Sequence, residues 1–518
     1  MPITIAEPIF LDGTHLTLEE LRAVARGRTA VGLRPDARSR VAESANLVAR
    51  LVESPEPVYG VNTGFGIFAN RRIEPEDLTD LSRNLILSHA VGFGTPFPPD
   101  VVRAAMLIRA NTFALGLSGV RVEILECLLQ MLEKDVTPVI PSQGSLGSSG
   151  DLAPLAHLAL VMTSSGDPGR SGNAWFHGNL LTGREAMEQA GVAPVRLGPK
   201  EGLALTNGAT FAAAVLGLAC LDLRRCLDAA VAAAALSLEA LLGRSAALQV
   251  SLHAARPHPG QTRVAARLRD LTRGSTLLDS GDQVQDAYSL RCTPQVIGPA
   301  HDILLFCEAV VTREINSATD NPLLLEGTAV SGGNFHGEPL GQAADFLKIA
   351  ASEIGAISER RSFRLLSSHT NAGLPAMLVA RAETAGLQSG FMMLQYTAAS
   401  LALENQNLAA PASVLSLPTS ADQEDHNANA TTAARQLASV VTNVRRIVAI
   451  EMLTAAQALD LRLRSAPGRQ AGSGSAAVQA RLREVAPFAQ ADDLVLPALD
   501  RIDALIANGE FDQRPEDP

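Results

Sequence analysis

Long segments rich in alanine and leucine dominate the sequence from about residue 203 onwards. Several carry small or apolar residues on nearly every face of a helix, which is typical of helices that are buried on most sides. They exceed the usual length of globular helices, and they are residues 209–242, 298–317, 339–366, 388–409 and 430–463. Such helices bury one another best in a bundle, so we predict an all-α fold of long, packed helices. The surplus of apolar helical surface also predicts an oligomer in which helices of neighbouring chains complete one core.

The N-terminal region alternates shorter helical patterns with irregular segments. Apolar residues recur at helical spacing over residues 16–25 and 37–52, and Thr17 is a suitable residue to begin the first of these helices. A further helical pattern runs over residues 74–132. A short β-hairpin is predicted near residues 174–181, where glycine and asparagine interrupt the apolar positions.

These patterns divide the chain into three parts that together form one functional unit. The N-terminal part (1–205) carries a glycine-rich loop around Tyr59 and a glycine-serine loop near residue 150, and the central part (206–465) holds the long helices. The C-terminal part (466–518) is predicted to consist of short helices and a polar tail.

Charge and cysteine usage exclude several classes of protein. The 518 residues carry a formal net charge of −11, so no basic excess is available to neutralise phosphates, and we expect neither a nucleic-acid partner nor a membrane partner. The five cysteines have an odd count and no paired spacing, which predicts a reducing compartment and no metal site. The N-terminus has no basic stretch followed by an apolar core, so no signal peptide is expected. The prediction is a soluble, cytoplasmic protein.

A loop of glycine and serine directly precedes an apolar helical segment within residues 144–157. Asp151 stands where a helix N-cap residue belongs, and Pro154 falls in the first helical turn, where its missing N–H is tolerated. A tight loop at a helix N-terminus also favours negative charge. An ordinary glycine-rich turn before a buried helix would have the same pattern, so the loop alone does not establish a site.

The tripeptide Ser148-Ser149-Gly150 within this loop permits covalent chemistry of the backbone. The Gly150 nitrogen can attack the carbonyl carbon of residue 148, which demands a small first residue and a glycine third. Loss of water from Ser149 then leaves an exocyclic methylidene group. The product is a five-membered methylidene-imidazolone, an electrophile that no ordinary side chain supplies.

Polar, irregular segments interrupt the long helices, although a helical bundle does not need them. Buried polar groups require hydrogen-bond partners, so such clusters are unfavourable unless they line a site. We predict that they form one pocket, and they are residues 206–208, 283–295, 320–322, 332–338, 404–405 and 416–426. The upstream loop 59–66 contains Tyr59, one of only three tyrosines, and this scarcity favours a chemical role over simple packing.

Together these segments resemble the aromatic amino acid ammonia-lyase family, and the likeness extends over about residues 10–465. Members of that family build the methylidene-imidazolone from Ala-Ser-Gly within a run of the form GS-aliphatic-GASGDLAPLAH. The run matches here, except that Ser148 stands where the family usually has alanine. The resemblance implies a mainly helical homotetramer with three chains at each active site. It also implies a protein-derived electrophile formed from Ser148, Ser149 and Gly150, with no external cofactor.

The resemblance also implies roles for individual residues. Tyr59 matches the family tyrosine that removes a proton from the substrate β-carbon, and Arg291 matches the arginine that binds the substrate carboxylate. Because tyrosine has a pKa near 10, its neighbours must favour the phenolate, and helix ends or Arg291 could do so. Other matching residues orient the amine, support the electrophile or line the pocket, and they are Asn207, Tyr288, Phe335, Glu404 and Gln423.

The side-chain end of the pocket indicates which amino acid is the substrate. Ser88 and His89 form the pair that histidine-specific members carry where phenylalanine-specific members have apolar residues, and His336 and Glu338 also resemble the histidine branch. A buried imidazole needs hydrogen-bond partners, so we expect L-histidine to be converted to trans-urocanate and ammonia. A histidine in the pocket could equally meet a phenol hydroxyl, so a tyrosine or other aromatic ammonia-lyase, or a 2,3-aminomutase, stays open. A non-catalytic paralogue that acts as a binding or regulatory subunit is a third alternative.

Overall fold

The computed structural model describes residues 7–163 and 168–512, and it is mainly helical, as predicted. The N-terminal helices are α1 (Leu18–Gly27), α2 (Pro35–Val52), α3 (Leu78–His89), α4 (Pro99–Ala114), α5 (Val122–Glu133), α6 (Leu152–Met162), α7 (Gly183–Ala190) and α8 (Glu201–Thr206). The later helices are α9 (Thr210–Ala240), α10 (Val250–Ala254), α11 (Pro259–Leu271), α12 (Tyr288–Arg291), α13 (Thr293–Glu314), α14 (Glu338–Leu366), α15 (Met392–Leu408), α16 (Ala430–Ser465), α17 (Ser473–Val485) and α18 (Leu496–Ala507). The short strands are β1 (Ile9–Leu11), β2 (Val31–Leu33), β3 (Phe93–Pro96), β4 (Thr137–Pro138), β5 (Pro141–Gln143), β6 (Asn173–Phe176), β7 (Asn179–Thr182), β8 (Leu323–Leu325) and β9 (Thr328–Val330).

The described residues form two compact units, and each is built from several stretches of the chain. The first unit comprises Met1–Leu218, Glu308–Asp345 and Pro411–Arg435. The second unit comprises Ala219–Cys307, Phe346–Ala410 and Gln436–Pro518. The division into three consecutive parts stays a prediction.

Short helices around a fully buried helix make the core of the first unit. Every residue of α4 from Val101 to Ala114 is buried, which explains why its sequence shows no polar face. Helix α1 begins at the predicted Thr17, because the Thr17 hydroxyl accepts from the Glu20 N–H at 3.1 Å and the Glu20 carboxylate accepts from the Thr17 N–H at 2.8 Å. Strands β1 and β2 pair in parallel.

The helical pattern predicted over residues 74–132 separates into α3, α4 and α5. Strand β3 lies between the first two of these helices and pairs with β5, which directly precedes the glycine-serine loop. Prolines at 96, 98 and 99 explain the interruption, because proline cannot continue a helix from its interior. The predicted hairpin is confirmed as β6 and β7, which pair from Asn173↔Thr182 to Phe176↔Asn179.

Long helices make up most of the second unit, as their composition predicts. Helices α9, α13, α14, α15 and α16 reproduce the five alanine- and leucine-rich segments within about five residues at each end. All of α15 and most of each of the other four belong to the second unit. Glu451 of α16 is completely buried among them. Its carboxylate accepts from the Arg361 guanidinium at 2.5 Å and 2.8 Å, and from the hydroxyls of Ser237 at 2.7 Å and Ser358 at 2.6 Å.

Among the described residues, only Thr293–Glu314 forms a helix that is long and apolar enough to cross a membrane, judged by length and composition. Core helices of proteins that never enter a membrane meet the same criterion.

Candidate active site

One cavity of about 1200 Å³ in the first unit brings together most of the predicted polar segments. Its walls come from the tyrosine loop, the C-terminal half of α3, the tripeptide, the end of α8, and the segments that precede α14 and α16. The predicted site residues that line this cavity are Tyr59, His89, Ser148, Ser149, Asn207, Phe335 and Gln423. The sequence prediction of one pocket therefore holds for these segments.

The tripeptide pairs with the backbone that follows α8. Gly150 and Gly208 form a parallel bridge, and the Ser149 carbonyl accepts from the Gly208 N–H at 3.1 Å and from Asn207 Nδ2 at 2.7 Å. Gly150 has a φ of +83°, and a Cβ at this position would lie 2.1 Å from the Gly208 carbonyl carbon. Glycine is therefore required at position 150 for its backbone conformation and for the close approach of the two chains.

Asp151 occupies the N-cap position of α6, as predicted, but its side chain has another role. The side chain makes no hydrogen bond to α6. The buried carboxylate instead accepts from the N–H groups of Phe211 at 2.7 Å and Ala212 at 3.0 Å, which belong to the first turn of α9. Ser145 and Thr431 donate their hydroxyls to the other oxygen. Asp151 thus satisfies open donors of α9, which follows Ala209, a residue with no capping group of its own.

Burial changes the protonation behaviour of Asp151. Desolvation raises the pKa of its carboxyl group, and the four hydrogen bonds from the side chains and the α9 backbone oppose this effect. The carboxylate ties the tripeptide loop to the first turns of α9 and α16, through Phe211, Ala212 and Thr431.

Glu424 is a site residue that the sequence analysis missed. Its Oε1 accepts from Ser149 Oγ at 2.7 Å, and its Oε2 accepts from Ser148 Oγ at 3.2 Å. The sequence predicts that the polar segment 416–426 lines the pocket, but within it only Gln423, the neighbour of Glu424, is predicted as a site residue. Ser420, Ala421 and Asp422 all have positive φ, and Thr419 pairs with Glu424 across the turn. This tight turn directs Glu424 towards the tripeptide, and three consecutive left-handed residues without glycine gave no sequence signal for it.

Tyr59 lies in the cavity wall with part of its side chain buried. Desolvation raises the pKa of its phenol, the negative charge of Glu424 raises it further, and the Gly66 N–H partly opposes both effects. Within the described residues of this one chain, the neighbours of Tyr59 do not favour the phenolate. Arg291, the cation expected to do so, belongs to the second unit and is not among the residues that line the cavity.

His89 ends α3 and also lines the cavity. The Ser88 hydroxyl lies 3.0 Å from His89 Nδ1, and desolvation lowers the pKa of the imidazole. Three residues further on, the Gly92 N–H donates to Nε2 of His157 in α6 at 3.0 Å. This bond ties the segment after α3 to the helix that follows the tripeptide.

Tyr288, Arg291 and Glu404 are not among the residues that line the cavity. Tyr288 is 70% exposed, and the Arg291 guanidinium carbon lies 4.6 Å from the centre of its ring. Arg291 Nε also donates to the Asp286 carbonyl at 2.8 Å. Glu404 lies exposed on α15. All three belong to the second unit.

The helical fold and a cavity whose polar groups surround a backbone tripeptide define a class of lyase, and comparison with known proteins agrees. A family model described as "Aromatic amino acid lyase" matches residues 16–484. The chain belongs to this family, and it is a carbon–nitrogen lyase.

Relatives and solved structures of the family resemble the chain over nearly its whole length. A histidine ammonia-lyase of Gloeobacter violaceus is 46% identical over 508 residues, covering 97% of this chain and 96% of the relative. The crystal structure of histidine ammonia-lyase from Trypanosoma cruzi has a TM-score of 0.88 at 36% identity and covers 97% of this chain and 94% of its own. Tyrosine aminomutase from Streptomyces globisporus has a TM-score of 0.90 at 34% identity, with 97% of both chains covered.

Proposed function

We propose that this protein eliminates ammonia from L-histidine and releases trans-urocanate. The observation that carries the proposal is the convergence of Tyr59, His89 and Glu424 on one cavity whose wall includes the Ser148-Ser149-Gly150 tripeptide. The relatives named as histidine ammonia-lyases support the choice of substrate.

The tripeptide fits the methylidene-imidazolone that the family resemblance implies. Gly150 is already held where no side chain could be accommodated, and the Ser149 carbonyl is bound by two donors. Asn207 Oδ1 is buried and has no hydrogen-bond partner among the described residues, so it is free to accept from a further N–H group. When formed, the group supplies an electron-poor exocyclic carbon that takes up the substrate amine and makes it a better leaving group.

Removal of the β-carbon proton is the task we assign to Tyr59. A phenol whose pKa is raised by burial and by Glu424 is a poor base at neutral pH, so a cation must approach it in the working enzyme. Arg291 is the candidate for this cation and for the partner of the substrate carboxylate. Arg291 is not among the residues that line the cavity of its own chain, and our proposal is that a neighbouring subunit supplies it.

A homotetramer with shared active sites would meet this need. Tyr288, Arg291 and Glu404 lie on the second unit and are partly or largely exposed, so they are accessible to another copy of the chain. The long helices also expose large apolar side chains: Phe306 of α13 is 52% exposed, and its ring centre lies 6.3 Å from that of Phe346 in α14, which is 48% exposed. Exposed apolar pairs on long helices are typical of subunit interfaces.

His89 and Glu424 are the groups that we expect to select the substrate. An imidazole carries both a donor and an acceptor, and a histidine with a carboxylate can satisfy both. The second candidate is an enzyme that acts on tyrosine. The similarity to tyrosine aminomutase supports it, and a phenol hydroxyl could also form a hydrogen bond with His89.

Mass spectrometry and a three-substrate assay test this function. Intact mass should fall by two waters, about 36 Da, because the tripeptide cyclises. Incubation with histidine, tyrosine and phenylalanine in turn should give an absorbing conjugated acid fastest from histidine. An unmodified mass would favour the non-catalytic paralogue. Faster product formation from tyrosine, or a β-amino acid product, would replace the proposed substrate or reaction.

A further inference from the structure

Two neighbouring serine hydroxyls of the tripeptide donate to one carboxylate. Ser149 Oγ lies 2.7 Å from Glu424 Oε1, and Ser148 Oγ lies 3.2 Å from Glu424 Oε2. Thr419 Oγ1 is a second donor to Oε2, at 3.3 Å. Among the described residues, Ser149 is the one donor to Oε1. The two oxygens of Glu424 are therefore held by different groups.

Cyclisation of the tripeptide would affect these two hydroxyls differently. Ser149 loses its oxygen as water, whereas the side chain of Ser148 takes no part in the new bonds and keeps its hydroxyl. Glu424 Oε1 then has no donor from the tripeptide, while Oε2 keeps Ser148 and Thr419. An alanine at position 148, the usual residue of the family, would leave Oε2 with Thr419 alone.

The surroundings of Ser148 favour a bond that persists. Its side chain is 7% exposed, so an unbonded hydroxyl there would be unfavourable. Glu424 is its hydrogen-bond acceptor in the structure, and hydrogen bonds to charged groups are among the stronger ones. A carboxylate held at one oxygen cannot rotate freely to present either oxygen to the cavity.

We propose that Ser148 is a positioning residue that orients Glu424, so that Oε1 faces the cavity as the acceptor for an N–H group of the substrate. The inference depends on the proposed function, because Oε1 loses its donor only when the tripeptide has cyclised. Two observations place Glu424 at the substrate: it lines the cavity together with His89 and Tyr59, and its charge influences both of them. The serine that departs from the family pattern thus contributes to substrate binding in this chain.

Ser148→Ala tests the proposal with a substitution that restores the family's usual residue. We expect the mass loss of two waters to persist, because alanine is compatible with cyclisation. We expect KM for histidine to rise about tenfold, which corresponds to about 1.4 kcal/mol and to one hydrogen bond to a charged group, while kcat per cyclised site stays within about threefold. A purely structural role would reduce the number of active sites and leave KM unchanged.

A double-mutant cycle shows whether Ser148 acts through Glu424. In a Glu424→Ala background, Ser148→Ala should change KM less than about twofold, because no side-chain acceptor is left for Ser148 to orient. Ser44→Ala is the matched control: Ser44 is also 7% exposed and bonds the Val41 carbonyl in α2, away from the cavity lining, so KM should not change.

The outcomes separate this proposal from the proposed function. If Ser148→Ala has the same KM as the parent protein, Ser148 does not position Glu424. The same holds if Ser148→Ala raises KM equally with and without the substitution at Glu424. Neither result would contradict the turnover of histidine by the parent protein. A parent protein that neither loses water nor acts on histidine would instead contradict the proposed function. If Ser148→Ala loses cyclisation itself, the mass measurement shows this directly, and Ser148 would then act on the tripeptide rather than on Glu424.

Discussion

Glu424 in the first unit and Glu451 in the second unit show how two carboxylates of one chain can serve different purposes. Glu451 is completely buried, and Arg361, Ser237 and Ser358 satisfy both of its oxygens. Glu424 lies partly exposed at a cavity, and it is bonded by hydroxyl groups of the tripeptide and of Thr419.

The difference lies in which bonds can be exchanged. The donors to Glu451 are the side chains of packed helices, and no substrate can replace them. One donor to Glu424 is the Ser149 hydroxyl, which would leave as water if the tripeptide cyclises. A fully satisfied buried network indicates a structural role, whereas a carboxylate that can lose a donor beside a cavity indicates a site for a ligand.

Among changes in the first unit, removal of the Tyr59 hydroxyl should have the largest effect on activity. Tyr59→Phe keeps the ring but deletes the group that we assign to proton removal. We expect kcat for histidine to fall about a thousandfold or more, while the mass loss of two waters persists, because Tyr59 is not part of the tripeptide. Steady-state kinetics and intact mass, measured on the same sample, check the loss of turnover and the retained loss of water. Turnover within tenfold of the parent would show that another group is the base.

Among changes in the second unit, breaking the Arg361–Glu451 ion pair should have the largest effect on stability. Arg361→Met leaves the Glu451 carboxylate buried without its cation, and we expect the free energy of unfolding to fall by about 3–5 kcal/mol. Urea denaturation measures this change. The double variant Arg361→Met/Glu451→Leu should recover much of the loss, because no charge then stays buried. Equal losses in the single and double variants would mean that packing, not charge, dominates at this position.

A third and smaller effect concerns the choice of substrate, which we expect to depend on His89 of the first unit. His89→Leu removes the polar group that we expect to meet the imidazole, and kcat/KM for histidine should fall about a hundredfold, with little change for phenylalanine. Parallel assays with both amino acids measure the selectivity. Leu85 of the same helix, which also lines the cavity, offers the apolar control Leu85→Met, for which both substrates should respond alike. Near-parent histidine turnover in His89→Leu would remove the basis for naming histidine.

The fold could be predicted largely because long apolar helices have few alternatives. Segments such as residues 430–463 are long and rich in alanine and leucine, with apolar positions at helical spacing, and α16 confirms the predicted helix. The predicted Thr17 cap also held, because a capping box depends only on residues three apart. Asp151 stands at the predicted N-cap position of α6, but its side-chain partners, Phe211 and Ala212, lie some sixty residues away in the chain, and local sequence cannot reveal them.

The site could be predicted as a set of segments but not as a geometry. Polar residues between apolar helices indicated which stretches would meet, and the cavity joins most of them. Which residue of a turn approaches the tripeptide depends on backbone geometry, so the sequence predicts Gln423, which lines the cavity, but not Glu424, whose carboxylate accepts from Ser148 and Ser149. The raised pKa of Tyr59 was not foreseen either, because burial and the Glu424 charge are consequences of the three-dimensional arrangement.

The smallest predicted effect concerns the pH dependence of stability, which should depend on His157 of the first unit but not on His369 of the second unit. His157 accepts the Gly92 N–H through Nε2, so it must be neutral at that nitrogen, and desolvation holds its pKa below the ordinary 6.5. Between that lowered pKa and 6.5 the unfolded chain binds more protons, so stability should rise with pH in this window and fall as the pH drops below 6.5. His157→Gln keeps an acceptor for Gly92 but cannot titrate, and the free energy of unfolding should therefore decrease less between about pH 7.5 and pH 5.5 than in the parent. His369→Gln, at an exposed position of the second unit, should retain the parent slope, and equal slopes in all three proteins would show that His157 is not the group responsible.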